Sequence, residues 1–93
     1  MNRLVLNAQL VERGALRYTP AGLPAVDLSL KHESSVMQDG QPRQVSFEIK
    51  ARAVGEITQR VAGVELGSFH GFAGFLGSQR NGRGVVFHVT ELD

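Results

Sequence analysis

The chain has 93 residues, 42% of them hydrophobic and 20% charged, with no cysteine and a formal charge of +1. This length suits one domain spanning 1–93, with a modest core and about 5–10 kcal/mol of net stability. The composition excludes a disordered chain, a disulfide framework, a thiolate metal site and a cysteine nucleophile; it also excludes a uniformly basic nucleic-acid binder, so affinity for a polyanion has to come from local clustering of charge.

The opening MNRLVLNAQLVERG has no long apolar stretch and no small-residue cleavage site. We therefore expect no signal peptide, no membrane association and a cytoplasmic location. Leu4, Leu6, Ala8 and Leu10 share one face of a first strand. A turn rich in proline and glycine follows at Thr19–Pro24, and then a second strand alternates Val26, Leu28 and Leu30 with Asp27, Ser29 and Lys31. After a turn centred on Asp39-Gly40, the third strand alternates Val45, Phe47, Ile49 and Ala51, all expected inward, with Ser46, Glu48, Lys50 and Arg52.

The period changes at VGEITQRVAG, where Val54, Ile57 and Val61 recur at helical spacing. This predicts a short helix closed by Gly63, with Glu56, Gln59 and Arg60 on its exposed face. LGSFHGFAGFLG, Leu66 to Gly77, reads as a glycine-loosened fourth strand with two open registers. Either Phe69, Gly71, Ala73 and Phe75 face inward, or His70, Phe72, Gly74 and Leu76 do, leaving Phe69 and Phe75 outside. Asn81-Gly82 then predicts a tight hairpin turn carrying Arg80 and Arg83, followed by a fifth strand with Val85, Phe87 and Val89 on its apolar face. Five strands with a helix between the third and fourth is the order of the OB-fold, an all-β Greek-key barrel.

Catalytic patterns are missing. His32, His70 and His88 lack metal-ligand spacing, no phosphate-cradling glycine loop precedes a helix, and His88 and Glu91, three apart on a strand, are expected on opposite faces. We expect no enzyme activity, no cofactor and no metal. An OB-fold binds oligonucleotides across its second and third strands and through its first–second and fourth–fifth loops. Those loops are ERGALRYTPAGLP, which carries Arg17 and Tyr18, and GSQRNGRG, which carries Arg80 and Arg83. Lys31, Arg43, Lys50 and Arg52 lie on or beside the strands between them. The cations are candidate phosphate contacts, and Tyr18, with whichever of Phe69 and Phe75 faces outward, is a candidate for base stacking. An RNA-binding OB module is an alternative, although its usual aromatic motifs are absent from the second and third strands. A protein–protein adaptor with only weak nucleic-acid binding is another. Val5 and Val11, apolar on the second face of the first strand, are candidate dimer contacts.

The segments NRLVL, LRYTPAGLP and DLSLKHES, continued by GQPRQVSFEIKARAVGE and GSFHGFAGF, resemble the primosomal replication protein N family, relatives of the bacterial single-stranded DNA-binding proteins, over nearly the whole chain. The resemblance implies a homodimer that binds single-stranded DNA and assists a restart helicase and other primosome proteins at stalled forks. It matches Arg80 and Arg83 to the family's basic fourth–fifth loop. It places Ser46 where the family can present a stacking aromatic on its third strand, so stacking there is expected to be weaker. With Asp93 directly after the fifth strand, we expect no acidic-tipped tail of the kind the general single-strand binders carry, an expectation that favours the primosomal branch.

Overall fold

The computed structural model describes residues 1–80 and 82–93; its elements run β1 (Leu4–Arg13), β2 (Arg17–Tyr18), β3 (Pro24–Gln38), β4 (Gln41–Val54), α1 (Ile57–Ala62), β5 (Phe69–Ser78) and β6 (Val85–Leu92). Five strands close on themselves: β1 pairs with β5, β5 with β6, β6 with β4, β4 with β3, and β3 returns to β1. This is the OB barrel read from the sequence, with α1 between its third and fourth strands. The short β2, paired through Arg17 and Tyr18 to the start of β3, was not anticipated.

Alternation builds the core. Leu6, Ala8 and Leu10 from β1, Val26, Leu28 and Leu30 from β3, Ala51 and Ala53 from β4, Phe72 from β5 and Phe87, Val89 and Leu92 from β6 are all buried. Val61 of α1 caps one end of that cluster. The helix stops at Gly63 as expected, although Gly63 keeps a right-handed backbone (φ −87°). Arg13 finishes the cap: its guanidinium donates to the carbonyl of Val61 at 3.3 Å and to that of Val64. Val54, grouped with the helix by spacing, instead ends β4 and is exposed.

Closing a small barrel requires strands to change partners and bend. β1 hydrogen-bonds β5 through its first half and β3 through its second, with a bulge between Leu10 and Glu12. A second irregularity lies at Ala73/Gly74, where β5 meets β6. Burial settles the register of the glycine-rich strand: Phe72 is buried, whereas Phe69 and Phe75 face out, which is the second of the two expected registers. The same irregularity overturns the expected placement of His88 and Glu91. Both Val89 and Leu92 are buried although three apart, so the outward side changes parity between them. His88 pairs with Phe75 and Glu91 with Ala73 on one outer face.

Two further expectations fail at the barrel's ends. β3 and β4 continue past the barrel as a two-stranded ribbon from His32↔Phe47 to Gln38↔Gln41, closed by Asp39 (φ 51°) and Gly40 (φ 74°) in the paired positive-φ geometry of a tight hairpin. Phe47 and Val45 are on the side that alternation assigned them, but that side has run beyond the core, and Phe47 is 39% exposed against His32. On β6, Val85 is 50% exposed and Val86 is buried instead. β5 ends at Ser78 and β6 starts at Val85. Asn81 of the expected Asn81-Gly82 turn lies outside the described residues. Within the loop the Gly82 amide donates to the Gln79 carbonyl at 2.9 Å, and Gly82 and Gly84 both take positive φ.

Gly74 is fixed by contact. A Cβ there would lie 1.8 Å from the carbonyl oxygen of His88. Because both sides of that collision are backbone, Gly74→Ala is expected to destabilise the barrel by about 3 kcal/mol or more. A urea melt with an unchanged midpoint would refute this reading of the strand crossing.

Candidate functional site

The parallel pairing of β4 with β6 sets Arg52 beside His88, and the antiparallel neighbours extend the row. Asp27 of β3 is opposite Arg52, and Phe75 of β5 is opposite His88. Arg17 of β2 closes the row from the other side. Its Nε and Nη2 donate to the Asp27 carboxylate at 3.2 and 3.0 Å, while Arg52 Nε donates to the other carboxylate oxygen at 2.9 Å. One outer face therefore carries, strand by strand, Arg17, Asp27, Arg52, His88 and Phe75.

An open groove of about 560 Å³ lies over three members of this row, Arg17, Arg52 and His88. It is lined by Arg17, Thr19 and Pro20 from one loop, Arg52 and Val54 from β4, and Ser78, Arg80 and His88 from β5, the loop after it and β6. Of the basic residues proposed from sequence, Arg17, Arg52 and Arg80 thus converge. Tyr18, 66% exposed on β2, stands beside Arg17 but outside the groove lining. Arg83 is exposed in the same loop as Arg80.

The remaining candidates lie elsewhere. Lys50 donates to the Ser29 hydroxyl at 2.9 Å and lines a neighbouring cavity with Glu12, Val11 and Leu66. Lys31 pairs with Glu33 at 3.4 Å and faces another cavity, toward Phe69. Ser46 is exposed on the ribbon opposite Glu33. Arg43, bonded to Gln38 at 2.8 Å, sits near the ribbon tip, about 30 Å along the strand from Arg52. Val5 is exposed on β1, but the bulge separates it from Val11, and the two line different cavities. Among the described residues no cluster of three or more His, Cys, Asp or Glu could hold a metal ion, and no helix is long and apolar enough to cross a membrane.

Sequence reasoning missed Asp27 and His88 as members of this site, whereas Phe75, beside His88 though outside the groove lining, is one of the two phenylalanines whose stacking role was left to the register of β5. Asp27 read as an ordinary outward residue. Burial pushes its carboxyl up, but the hydrogen bonds and charges of Arg52 and Arg17 outweigh that, and it is held below the usual 3.8. The carboxylate fixes both guanidiniums in place and cancels part of their field. His88 is pushed below its ordinary 6.5, first by burial and then by the charge of Arg52.

A sign follows for His88. Its folded form resists protonation, so below the ordinary pKa of 6.5 the unfolded chain binds more protons. The neutral imidazole contributes fully above that value, and its contribution falls as pH drops from there toward the lowered folded value. Denaturant melts from about pH 7.5 to about pH 5 are expected to show a stability loss that His88→Gln reduces. An identical pH slope in the variant would rule out this origin.

A family model described as another single-strand binding protein family matches residues 2–91. The replication restart protein PriB of Bordetella pertussis is 46% identical over 86% of this chain and 75% of its own length. A solved structure of PriB from Ralstonia solanacearum superposes with a TM-score of 0.92 at 36% identity, covering 100% of this chain and 96% of that one. The wild-type single-stranded DNA-binding protein of Thermus aquaticus matches with a TM-score of 0.76 at 27% identity, covering 100% of this chain and 49% of its own. With a barrel of the same topology and this likeness along nearly its full length, the chain belongs to the replication restart protein PriB family of single-strand binding proteins.

Proposed function

We propose that this protein binds single-stranded DNA and acts in replication restart. The observation that carries the reading is the convergence of Arg17, Arg52 and Arg80 on one open groove between the β1–β3 and β5–β6 connections. Cations in such a groove neutralise phosphates and release counterions, and this attraction is indifferent to sequence. Strand flexibility suits a curved sheet that a stiff duplex could not follow. Asp27 limits the strength: it offsets one of the two guanidiniums that it holds. In this reading Arg80 and Arg83 of the β5–β6 loop supply charge from the other rim, with Lys50 further along β4 as an outer contact and Lys31, Ser46 and Arg43 marking a path onto the ribbon.

The family relationship supports partners of the same pathway, a restart helicase and other primosome proteins, and a cytoplasmic site of action without an enzymatic role of its own. It also supports a homodimer, for which the exposed Val5 of β1 is the contact we favour.

Two experiments test this reading. Titration of labelled oligodeoxynucleotide over a range of salt gives a log–log slope, and each phosphate left without its cation lowers that slope by about 0.7. Arg80→Ala combined with Arg83→Ala is expected to weaken binding and flatten the slope by up to about 1.4. An unchanged slope rejects the loop as a phosphate-binding element, and binding confined to very low salt favours a protein–protein adaptor. In sedimentation, Val5→Lys is expected to shift dimer to monomer; a dimer of unchanged stability would remove Val5 from the interface.

A further inference from the structure

We infer that Phe75, which lies outside the groove lining but stacks on the His88 that belongs to it, is a base-stacking platform at the groove's edge. The inference rests on the DNA-binding reading above and deepens it by naming where a base goes. The two rings are stacked, 4.7 Å between centroids and 10° between planes. They are cross-strand partners on the outer face, and the sequence clears a seat for the imidazole: a Cβ on Gly77 would lie 3.0 Å from His88 Nε2. Phe75 is still 42% exposed, so one part of its ring is covered by His88 and another remains open.

Position separates Phe75 from the other exposed phenylalanines. Phe69 is 74% exposed but belongs to the opposite end of β5, in the cavity with Asn7 and Lys31. Phe47 leans on His32 along the ribbon. Phe75 alone of these shares a row with Arg52, two strand spacings away, about 10 Å. A nucleotide laid across β5, β6 and β4 can then set its base on the ring and its phosphate toward the guanidinium. Every base has a π-face, so this contact adds affinity without reading sequence.

The test compares an oligomer of about 15 thymidines, within the site size of one OB fold, with an abasic deoxyribose-phosphate oligomer of equal length. Binding to each is measured by fluorescence anisotropy for the unaltered protein, Phe75→Leu and Phe75→Tyr, with thermal melts to check folding. The unaltered protein is expected to prefer the base-carrying oligomer by about tenfold, the scale of one stacked base. Phe75→Leu should lose most of that preference while keeping its affinity for the abasic oligomer and its salt slope. Phe75→Tyr should retain the preference. A preference surviving in Phe75→Leu, or equal affinity of the unaltered protein for both oligomers, overturns the platform and leaves the electrostatic groove standing. A parallel loss of both affinities in Phe75→Leu assigns the ring a purely structural role. Failure of the unaltered protein to bind either oligomer removes the underlying DNA reading as well.

Discussion

Three consecutive rungs join β4 to β6: Ala51 with Phe87, Arg52 with His88, and Ala53 with Val89. This short parallel seam closes the barrel. It works because the β4 residues facing inward are alanines, buried and small enough to leave room for the Phe87 ring. The pleat then obliges Arg52 and His88 to face outward together. Without the seam, Asp27 and Arg52 would still pair across β3 and β4, and Phe75 and His88 across β5 and β6, but as two unrelated pairs on separate ribbons.

The seam explains how a chain of formal charge +1 can present a cationic groove. Several acidic residues are answered locally on the surface: Glu91 by Arg3, Glu33 by Lys31, Asp27 by Arg17 and Arg52. Around the seam the balance is different, with the guanidiniums of Arg17, Arg52 and Arg80 set against the carboxylate of Asp27. Exposed ion pairs contribute little to stability, and the Asp27 arrangement matters more for geometry than for energy. It holds in a fixed orientation two long side chains whose ordering otherwise carries an entropic cost.

Much of this was readable in advance. Period-2 alternation located the five long strands, since a sheet with one buried face writes its pattern directly into the chain; the helix was visible at Ile57 and Val61 because its period differs. What failed depended on pairing between distant segments. Alternation assigned Phe47 to its side of the strand correctly but could not say that β3 and β4 outrun the barrel there. The parity change near Gly74 put His88 and Glu91 on one face, which no count along the strand could anticipate. Of the cations, those on the two loops and at the seam end of β4 were found by fold analogy, whereas Arg13 turned inward to the helix carbonyls and Arg43 lies far along the ribbon. Asp27 carried no local signal and Phe75 only one that hung on the register of β5: which partner each meets is decided by residues that neighbour them across strands.

Past the rung between Lys31 and Glu48 the β3–β4 ribbon has no third strand beside it among the described residues, and it accounts for much of the 49 Å length of the molecule. Two strands alone are marginal in water. The arm therefore keeps its register through one set of cross-strand bonds, whereas each strand of the closed ladder is held from both sides.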